Sequence, residues 1–550
     1  MFINLKDMHE DCVEQLKSRH VYLNEDTKRG WHCKDGSPTN LLIEGENYHA
    51  LRMLEYTHMG KVDVIYIDPP YNTGNKDFVY SDDFSDVPDG DEGDIPTGTL
   101  KYVNEEDPCR HSKWASFMVR RLRIARNLLS ERGVIFISID DREMAYCKLL
   151  CDAVFGEDNF LANIIWDKRN SKGNVNHFAC IHEYVLVYAK DVDSVPKLLS
   201  KKANAEAIIQ KAQELFKTRD LEMANSEFRK WLKKTEFSNG EKAYDKIDAN
   251  GRVWRSVTLT APGSDTFYDV IHPITKKPCK TESRGWGCKE SVMIERIKNG
   301  EVLFGKDETT VPNRIYYLDE FMFQAPTTIY SSAANGVDDL PPDMTKIFDY
   351  PKPVSLIKWL VSIASDKKSI ILDFFGGSGT TGQAVVELNR EDGGTRQFIL
   401  VTNNEKSDKL PNGIARDVTY PRLERTIKSD TNLSYMKVHL RKHEKTTNTC
   451  TKVAQLEVDN RLLPLLKVRF NAYNEIERTD RYVILQGQDN FYAGIYFNHT
   501  GSPNPLGAVR RSFQSHVDSI SENNEVLFNI PSGGYTSEYF NFIQATNPKE

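Results

Sequence analysis

The chain has 550 residues and a mass of 63.0 kDa, enough for about three domains. Hydrophobic residues make up 39% of it and charged residues 27%, the composition of a globular protein with a sizeable core. Runs of about 18 apolar residues are absent, which excludes a membrane span, and the N-terminal stretch lacks the apolar segment of a secretory signal. We therefore expect a cytoplasmic protein. The net charge of −7 excludes a globally basic nucleic-acid binder but allows a local basic groove.

The nine cysteines are scattered through the chain. Their spacing does not match a set of zinc ligands with partners. We expect reduced thiols and predict no metal site.

Short apolar runs alternate with helix-like stretches in two parts of the chain. The first part holds "NLLIEGE" (40–46), "VDVIYID" (62–68) and "GVIFISID" (133–140), and the second holds "SIILDFF" (369–375) and "RQFILVTN" (396–403). Near-continuous apolar strands separated by helices are typical of a parallel sheet covered on both faces. The pattern therefore predicts an α/β fold.

The alternation stops between about residues 170 and 345, where lysine-rich helical stretches precede segments rich in Gly, Pro and Trp. This change of composition indicates a domain inserted between two halves of one sheet. After about residue 430 the sequence becomes β-rich. We predict an N-terminal part of the sheet domain at 1–169, an insertion at 170–345, the remainder of the sheet domain at 346–430, and a C-terminal α+β domain at 431–550.

The stretch "IDPPYNTG" follows an apolar run and combines four unusual neighbours. Asp68 supplies a carboxylate, Pro69 and Pro70 lack N–H groups, and Tyr71 supplies an aromatic ring. Each proline fixes its own φ at about −65° and restricts the residue before it, so the carbonyls here are held in place. Taken alone, the stretch also fits a strand that ends in a proline turn.

A second motif, "ILDFFGGSGTTG" (371–382), follows a strand and opens a helix. Asp373, Phe375, Gly377 and Gly379 fit the pattern D-x-F-x-G-x-G, in which glycines permit a tight turn and close approach of a ligand. The P-loop pattern G-x-x-x-x-G-K-[ST] occurs nowhere in the chain. An aromatic ring beside the turn suits a cationic sulfonium cofactor. Taken alone, this motif also fits a plain strand–helix turn.

Together the two motifs resemble those of amino-methyltransferases that use S-adenosylmethionine, and D-P-P-Y resembles the catalytic motif of DNA adenine-N6 methyltransferases. The catalytic motif precedes the cofactor loop, as in the β group of these enzymes. "YPKPVSLIKWLV" resembles the motif upstream of that loop, with Lys352 and Pro353 at its centre. "IEGENYHAL" resembles the segment whose acid, here Glu46, contacts the cofactor adenine. "RGWGCKESVMIERIKNGEVLFG" and "LLPLLKVRF…FYAGIYF" resemble the modification subunit of type III restriction systems.

The resemblance implies a Rossmann-like, seven-stranded S-adenosylmethionine-dependent methyltransferase sheet with circularly permuted motif order. It also implies that the insertion is a target-recognition domain and that the C-terminal domain serves dimerisation or partner docking. The implied partners are double-stranded DNA, a second copy of the chain and a separate ATP-dependent restriction nuclease subunit. The implied cofactor-binding residues are Glu46, Lys352, Pro353, Asp373, Phe375, Gly377, Gly379, Thr380 and Asn403.

The chemistry of an exocyclic adenine amine explains the first motif. Such an amine is a poor nucleophile because its lone pair is delocalised into the ring. The Asp68 carboxylate and the Pro69 carbonyl can each accept one N–H, which localises the lone pair, and Tyr71 can stack on the base once the base has left the duplex. We therefore predict Asp68, Pro69, Pro70 and Tyr71 as the catalytic residues.

Alternatives stay open at this point. Cytosine also presents a planar exocyclic amine, so an N4-cytosine methyltransferase is the second hypothesis. A DNA-recognition subunit without catalysis of its own is the third, and an RNA or protein-glutamine methyltransferase is the fourth. Asn403 either contacts the cofactor ribose or caps the end of its strand. The acidic segment 80–94 is either a solvated loop or a segment that orders when DNA or a partner binds.

Overall fold

The chain forms two compact units in a computed structural model, one of residues 1–198 with 327–550 and one of residues 199–326. The structure describes residues 19–33, 37–74, 103, 106–169, 177–202, 204–281, 284–332, 334–442, 463–464, 467–468, 471–478, 482–487, 492–497 and 527–530. The acidic segment 80–94 lies outside these ranges. Among the helices within them, none is long and apolar enough to cross a membrane.

The secondary structure is numbered here in chain order. The strands are β1 (Arg19–Glu25), β2 (Thr39–Glu44), β3 (Val62–Ile67), β4 (Leu129–Ile139), β5 (Phe160–Asp167), β6 (His182–Ala189), β7 (Ser200–Lys201), β8 (Lys246–Ile247), β9 (Val253–Thr258), β10 (Val302–Leu303), β11 (Asn313–Tyr317), β12 (Phe323–Gln324), β13 (Ile329–Ser331), β14 (Ile370–Asp373), β15 (Gln397–Thr402), β16 (Asn432–Lys442), β17 (Asn474–Arg478), β18 (Tyr482–Gln486), β19 (Tyr492–Phe497) and β20 (Leu527–Ile530). The α-helices are α1 (Asn47–His58), α2 (Arg110–Leu128), α3 (Met144–Phe155), α4 (Ala205–Thr218), α5 (Leu221–Lys234), α6 (Asn239–Lys242), α7 (Glu290–Lys298), α8 (Val354–Ala364), α9 (Thr380–Asp392) and α10 (Tyr420–Ile427).

A ten-stranded sheet organises the larger unit in the order β1-β16-β2-β15-β14-β3-β4-β6-β5-β13. Strands β16, β2, β15, β14, β3 and β4 run parallel to one another, whereas β6 is antiparallel to both β4 and β5. The predicted α/β fold is confirmed. The sheet contains the seven strands that the resemblance implied, from β2 to β5, and three more: β1 and β16 at one edge and β13 at the other.

The strands that carry the two motifs are far apart in the chain but adjacent in the sheet. Strand β3 precedes β14 by about 300 residues, yet the two are neighbours in the sheet, with Leu372 paired to Ile65. Helices cover both faces of the sheet. Along β3, Ile65 and Ile67 pack into the core that includes α1, α2 and α3, while Val64 and Tyr66 pack into the core that includes α8 and α9. Burial on both faces explains why the run "VDVIYI" is almost continuously apolar.

The smaller unit is shorter than the predicted insertion at 170–345. Strands β6 and β13 lie within those predicted bounds but belong to the main sheet, so the compact unit comprises residues 199–326. Its antiparallel sheet has the order β10-β11-β9-β8, and the helices α4 and α5 pack through Ile208, Ala212 and Phe228. At the other end of the chain, β16 lies between β1 and β2, so the region predicted as a C-terminal domain (431–550) begins inside the main sheet.

Candidate active site

Both sequence motifs follow strands of the main sheet. Because β2, β15, β14, β3 and β4 are parallel, their carboxyl ends lie along one side of the sheet, which we call the carboxyl edge. Asp68 directly follows β3, and Asp373 is the last residue of the neighbouring strand β14. Burial raises the pKa of Asp373, and the nearby Asp68 charge adds to the rise.

The Asp68 carboxylate is the centre of a hydrogen-bonded cluster. Lys352 Nζ donates to its two oxygens at 2.7 and 2.8 Å, and the Tyr71 hydroxyl donates to Oδ1 at 2.8 Å. Lys352 Nζ also lies 2.9 Å from the Tyr71 oxygen. Burial raises the pKa of Asp68, although the Lys352 ammonium opposes the rise. The Asp68 side chain keeps 27% of its surface exposed, so a ligand can still reach it.

Glu183 is a second acid in this cluster, and it was not predicted from the sequence. Its Oε1 accepts from Lys168 Nζ at 2.6 Å, and its Oε2 lies 3.2 Å from the Tyr71 oxygen and 3.4 Å from Lys352 Nζ. Burial would raise the pKa of Glu183, but the Lys352 and Lys168 ammoniums hold it below its usual value. Glu183 is the second residue of β6, and only the antiparallel pairing of β6 with β4 brings the start of that strand to this edge.

The two proline carbonyls of the first motif have different surroundings. The Trp114 indole N–H donates to the Pro70 carbonyl at 2.7 Å. In the part of the chain that the structure describes, the Pro69 carbonyl receives no hydrogen bond. Asn72, with φ at 57°, ends the turn and donates to Glu143 Oε1 at 2.6 Å. The turn is therefore fixed by its neighbours while one carbonyl stays available to a ligand.

The glycine-rich turn leads from β14 into α9. Gly377 and Gly379 adopt φ values of 47° and 83°, in the left-handed region that favours glycine. Asp373 Oδ1 accepts from the Phe375 backbone N–H at 2.9 Å, and its Oδ2 accepts from the Thr381 hydroxyl at 2.6 Å. These two hydrogen bonds to the Asp373 carboxylate stabilise the conformation of the turn.

Thr380, the first residue of α9, is directed into the protein interior. It is 6% exposed, and the buried guanidinium of Arg422 donates to its hydroxyl at 2.8 Å. The same Arg422 nitrogen donates to Ser378 Oγ at 2.8 Å. Arg422 thus holds the glycine-rich turn through Ser378 and Thr380. This role of Arg422, which lies in α10, was not predicted from the sequence.

Glu46 lies at the start of α1, where its carboxylate caps the helix by accepting from the His49 N–H at 3.1 Å. It also forms an ion pair with Arg121 from α2. Burial would raise the pKa of Glu46, but Arg121 and His49 bring it below its usual value. The neighbouring Asn47 donates to the Phe374 carbonyl at 2.9 Å, which ties this helix to the end of β14.

The remaining predicted residues lie along the same edge. Asn403 is exposed and directly follows β15, where Thr402 pairs with Glu44 of β2. Pro353 caps α8 and fixes the backbone next to Lys352, with φ at −65°. The structure thus gathers all the predicted site residues at the carboxyl edge, and their individual roles stay predictions.

One group of potential metal ligands occurs among the described residues. Asp141, Cys180 and His182 have ligand atoms within 4.8 Å of one another. Hydrogen bonds already join them: Cys180 donates to Asp141 at 3.0 Å, the Tyr184 hydroxyl donates to Asp141 at 2.9 Å, and His182 Nε2 lies 2.9 Å from that hydroxyl. Because these bonds account for the arrangement, we propose no metal here.

Asp373 makes the stability of the protein depend on pH. Burial is the main cause that raises its pKa to about 7 from 3.8. A raised pKa means that the folded state holds the proton more tightly, so this contribution to stability is complete below about pH 4 and is lost as the pH rises through about 7. We expect the free energy of unfolding of the wild type to fall relative to that of Asp373→Asn across this window, by up to about 1.4 kcal/mol per pH unit.

Denaturant unfolding of both proteins at a series of pH values measures this difference. Asp366→Asn is the control, because hydrogen bonding to the Lys368 N–H holds the pKa of Asp366 below its usual value, outside the window. A constant difference between wild type and Asp373→Asn from pH 4 to pH 8 contradicts the prediction.

The sequence matches a family model at residues 62–411, described as DNA methylase (N6_N4_Mtase). The chain belongs to this DNA methylase family. The matched region includes the Asp68 motif, the smaller unit, Lys352 and the glycine-rich turn, whereas Glu46 lies before it.

Curated relatives of the chain include modification subunits of type III systems. It is 32% identical over 428 residues to the Type III restriction-modification enzyme EcoP15I Mod subunit of Escherichia coli, covering 74% of this chain and 66% of the relative. It is 36% identical over 396 residues to the StyLTI Mod subunit of Salmonella typhimurium, covering 69% of this chain and 54% of the relative. It is 29% identical to the Type II methyltransferase M.KpnI of Klebsiella pneumoniae, covering 79% of this chain and 100% of the relative. The matches thus span about half to two-thirds of these Mod subunits.

Proposed function

We propose that this DNA methylase transfers a methyl group from S-adenosylmethionine to adenine N6 within a short sequence of double-stranded DNA. The observation that carries the proposal is the clamp at the end of β3, in which the Asp68 carboxylate and an available Pro69 carbonyl adjoin the Tyr71 ring. Such a clamp serves an amine of a base that has been flipped out of the duplex.

The residues at the carboxyl edge of the main sheet fit S-adenosylmethionine. Gly377 and Gly379 open α9 with left-handed backbone, so the turn brings backbone close to a ligand without an intervening side chain. Phe375 is half-buried beside the turn and can face a sulfonium with its ring. Glu46 follows β2 and Asp373 ends β14, and each carboxylate keeps lone pairs beyond the bonds it accepts from the protein, which suit hydroxyl and amino groups of the cofactor. When bound, the cofactor supplies an electrophilic methyl group.

The clamp residues act on the target amine. Asp68 accepts one amine N–H and the Pro69 carbonyl accepts the other, which localises the nitrogen lone pair toward the methyl carbon. The bound cofactor would supply the methyl carbon to the nitrogen and would keep the electron pair of its C–S bond on sulfur, so the nitrogen must lose one proton. Asp68 is placed to take that proton, and burial favours this because it raises the pKa of the carboxyl. Tyr71 stacks on the base and holds it in line, so positioning supplies much of the acceleration.

The experiment that tests the proposal is methylation mapping by sequencing of DNA from cells that express this chain, beside a strain that expresses Asp68→Ala. N6-methyladenine at one short motif, absent in the Asp68→Ala strain, supports the proposal. Methylation at cytosine N4 instead establishes the second hypothesis. An unmodified genome, together with cofactor binding by the purified chain, favours a recognition subunit that depends on a partner.

We further propose that the smaller unit, residues 199–326, recognises the DNA sequence. Its helix α5 buries Phe228 and Leu232 and leaves Lys230, Lys233 and Lys234 exposed. Exposed lysines along one helix suit contacts to DNA phosphates, which position a protein on the duplex, while base contacts give specificity. Ion pairs to these three lysines are absent among the described residues, so their charges are available to DNA.

Replacing Lys230, Lys233 and Lys234 with glutamate is expected to weaken DNA binding and its dependence on salt. Each phosphate contact contributes about 0.9 to the slope of log affinity against log salt concentration, so the slope should fall by up to about 1 per lysine. Fluorescence anisotropy with labelled DNA at several salt concentrations measures this. The Lys→Arg triple variant is the control and should retain both affinity and slope. If the glutamate variant binds DNA as the wild type does, the lysines of α5 do not contact DNA.

The identity to Mod subunits supports a wider proposal, that the chain is the modification component of a type III restriction-modification system. In this role it acts as a homodimer, and its C-terminal region docks a partner. In the proposed system a separate ATP-dependent nuclease subunit supplies cleavage.

A further inference from the structure

Lys352 holds an unexpected position for a residue predicted to bind the cofactor. Its ammonium lies 2.7 and 2.8 Å from the two oxygens of Asp68 and 2.9 Å from the Tyr71 oxygen. It therefore donates to the same carboxylate that, under the proposed function, receives the target amine. An ammonium and an exocyclic amine are both N–H donors, so Lys352 takes the place of the substrate amine in the clamp.

The carboxylate has little acceptor capacity left for a target amine in this arrangement. Lys352 uses both oxygens of Asp68, and Tyr71 uses Oδ1 a second time. One acceptor position then remains, on Oδ2, and displacement of Lys352 from that oxygen frees Oδ2 for the target amine. Displacement into an apolar region would leave a buried ammonium without a partner, which is strongly unfavourable.

Glu183 offers Lys352 a second partner. Its Oε1 is held by Lys168 at 2.6 Å, and its Oε2 lies 3.4 Å from Lys352 Nζ. The cluster of Asp68, Glu183, Lys168 and Lys352 carries two negative and two positive charges. A shift of the ammonium from Asp68 to Glu183 leaves that sum unchanged and keeps every charge paired.

The backbone around Lys352 allows movement of the side chain alone. Pro351 and Pro353 flank it, and Pro353 leads directly into α8. The Pro351 carbonyl lies so close to Gly336 that a Cβ there would come within 1.9 Å of its oxygen. The flexible lysine stem is thus the part that can move between the two acids.

We propose that Lys352 and Glu183 form a displacement switch for the clamp. Lys352 holds Asp68 in its orientation until the target amine enters, and Glu183 then receives the displaced ammonium. The inference rests on the proposed function. It makes Lys352 and Glu183 positioning residues that act through Asp68.

The test compares Lys352→Met, Lys352→Arg and Glu183→Gln in the full chain, with Lys358→Met as control. Lys358 lies in α8 and pairs with Glu391, away from the clamp. The readouts are the dissociation constant for S-adenosylmethionine by calorimetry and kcat and KM for DNA as functions of pH. The charged and titratable groups around Asp68 are Lys352, Glu183, Lys168, Tyr66, Tyr71 and Asp373. The Lys352 and Glu183 variants each change one of them, whereas Lys358→Met changes none.

The two charge-removing variants should move the acidic limb of the pH–rate profile in opposite directions. Without the Lys352 ammonium, Asp68 ionises at higher pH, so the acidic limb moves to higher pH in Lys352→Met. Lys352→Arg restores the positive charge, so its limb returns to the wild-type pH. Without the Glu183 carboxylate, Asp68 ionises at lower pH and Lys352 stays on Asp68, so the limb moves down and the KM for DNA rises severalfold in Glu183→Gln. Affinity for S-adenosylmethionine should change less than about twofold in all variants, a shift of under about 0.4 kcal/mol.

Two results overturn the switch. One is a limb that moves in the same direction, or does not move, in Lys352→Met and Glu183→Gln. The other is a tenfold loss of S-adenosylmethionine affinity in Lys352→Met with an unchanged limb, which assigns Lys352 to the cofactor.

A double-mutant cycle on stability, with Lys352→Met and Asp68→Asn, needs no activity. A coupling of at least tenfold in the unfolding equilibrium is expected, and a coupling near unity overturns the pairing. A wild type that leaves DNA unmethylated while the cycle shows strong coupling refutes the proposed function instead.

Discussion

Asp68→Asn is expected to reduce the rate of methyl transfer by about 10²-fold or more while leaving the affinity for S-adenosylmethionine nearly unchanged. The substitution keeps the size of the side chain but removes the negative charge that draws on the amine hydrogen and accepts the proton. It also turns one oxygen into an N–H donor, which faces the Lys352 ammonium at a position where the wild type has a hydrogen bond of 2.7 or 2.8 Å. Single-turnover methylation of a DNA duplex, with calorimetry for the cofactor, separates the two effects.

Asp63→Asn provides a matched control on the same strand. Asp63 is the second residue of β3, at the opposite end from Asp68, and its carboxylate accepts from Arg132 at 3.1 Å. The chemical change is identical, but the residue lies at the amino end of the strand. A rate within about twofold of wild type is expected for Asp63→Asn. If Asp68→Asn methylates at the wild-type rate, the clamp is not the catalytic site.

Gly379→Val is expected to weaken S-adenosylmethionine binding by at least about tenfold, or about 1.4 kcal/mol. Gly379 has φ at 83°, a conformation that costs an L-residue about 1–2 kcal/mol and a β-branched residue more. A Cβ at this position would also lie 3.2 Å from the Thr419 methyl group, tighter than ordinary contact. Relief of both strains moves the turn that opens α9, and with it the backbone that approaches the cofactor.

Gly393→Val separates this effect from a general loss of stability. Gly393 ends the same helix with φ at 67°, and a Cβ there would meet no atom within 4 Å. Both variants therefore share the strain of a left-handed valine, but only one lies at the predicted cofactor turn. Calorimetric titration should show near wild-type affinity for Gly393→Val. Equal losses of affinity in the two variants mean that the turn is not the cofactor site.

The sequence by itself determined the local features of this protein. The run "VDVIYI" indicated a strand buried on both faces, and β3 packs into both cores. Pro69, Pro70, Gly377 and Gly379 act on their own φ angles, so the stiff turn and the tight turn could be predicted from residue type. The order of the two motifs implied the permuted arrangement only through its resemblance to the β group of DNA methyltransferases.

The tertiary structure alone decided which side chains meet at that edge. The pairing of β6 with β4 brings Glu183 to Asp68, and α2 brings Arg121 to Glu46 and Trp114 to Pro70. It also gave the main sheet ten strands rather than seven and the smaller unit narrower bounds than 170–345. These contacts join residues about 40 to 280 positions apart, as in the pair of Lys352 with Asp68. Backbone preference is set by each residue and its neighbours, whereas such contacts depend on the order in which strands pair and helices pack across the whole unit.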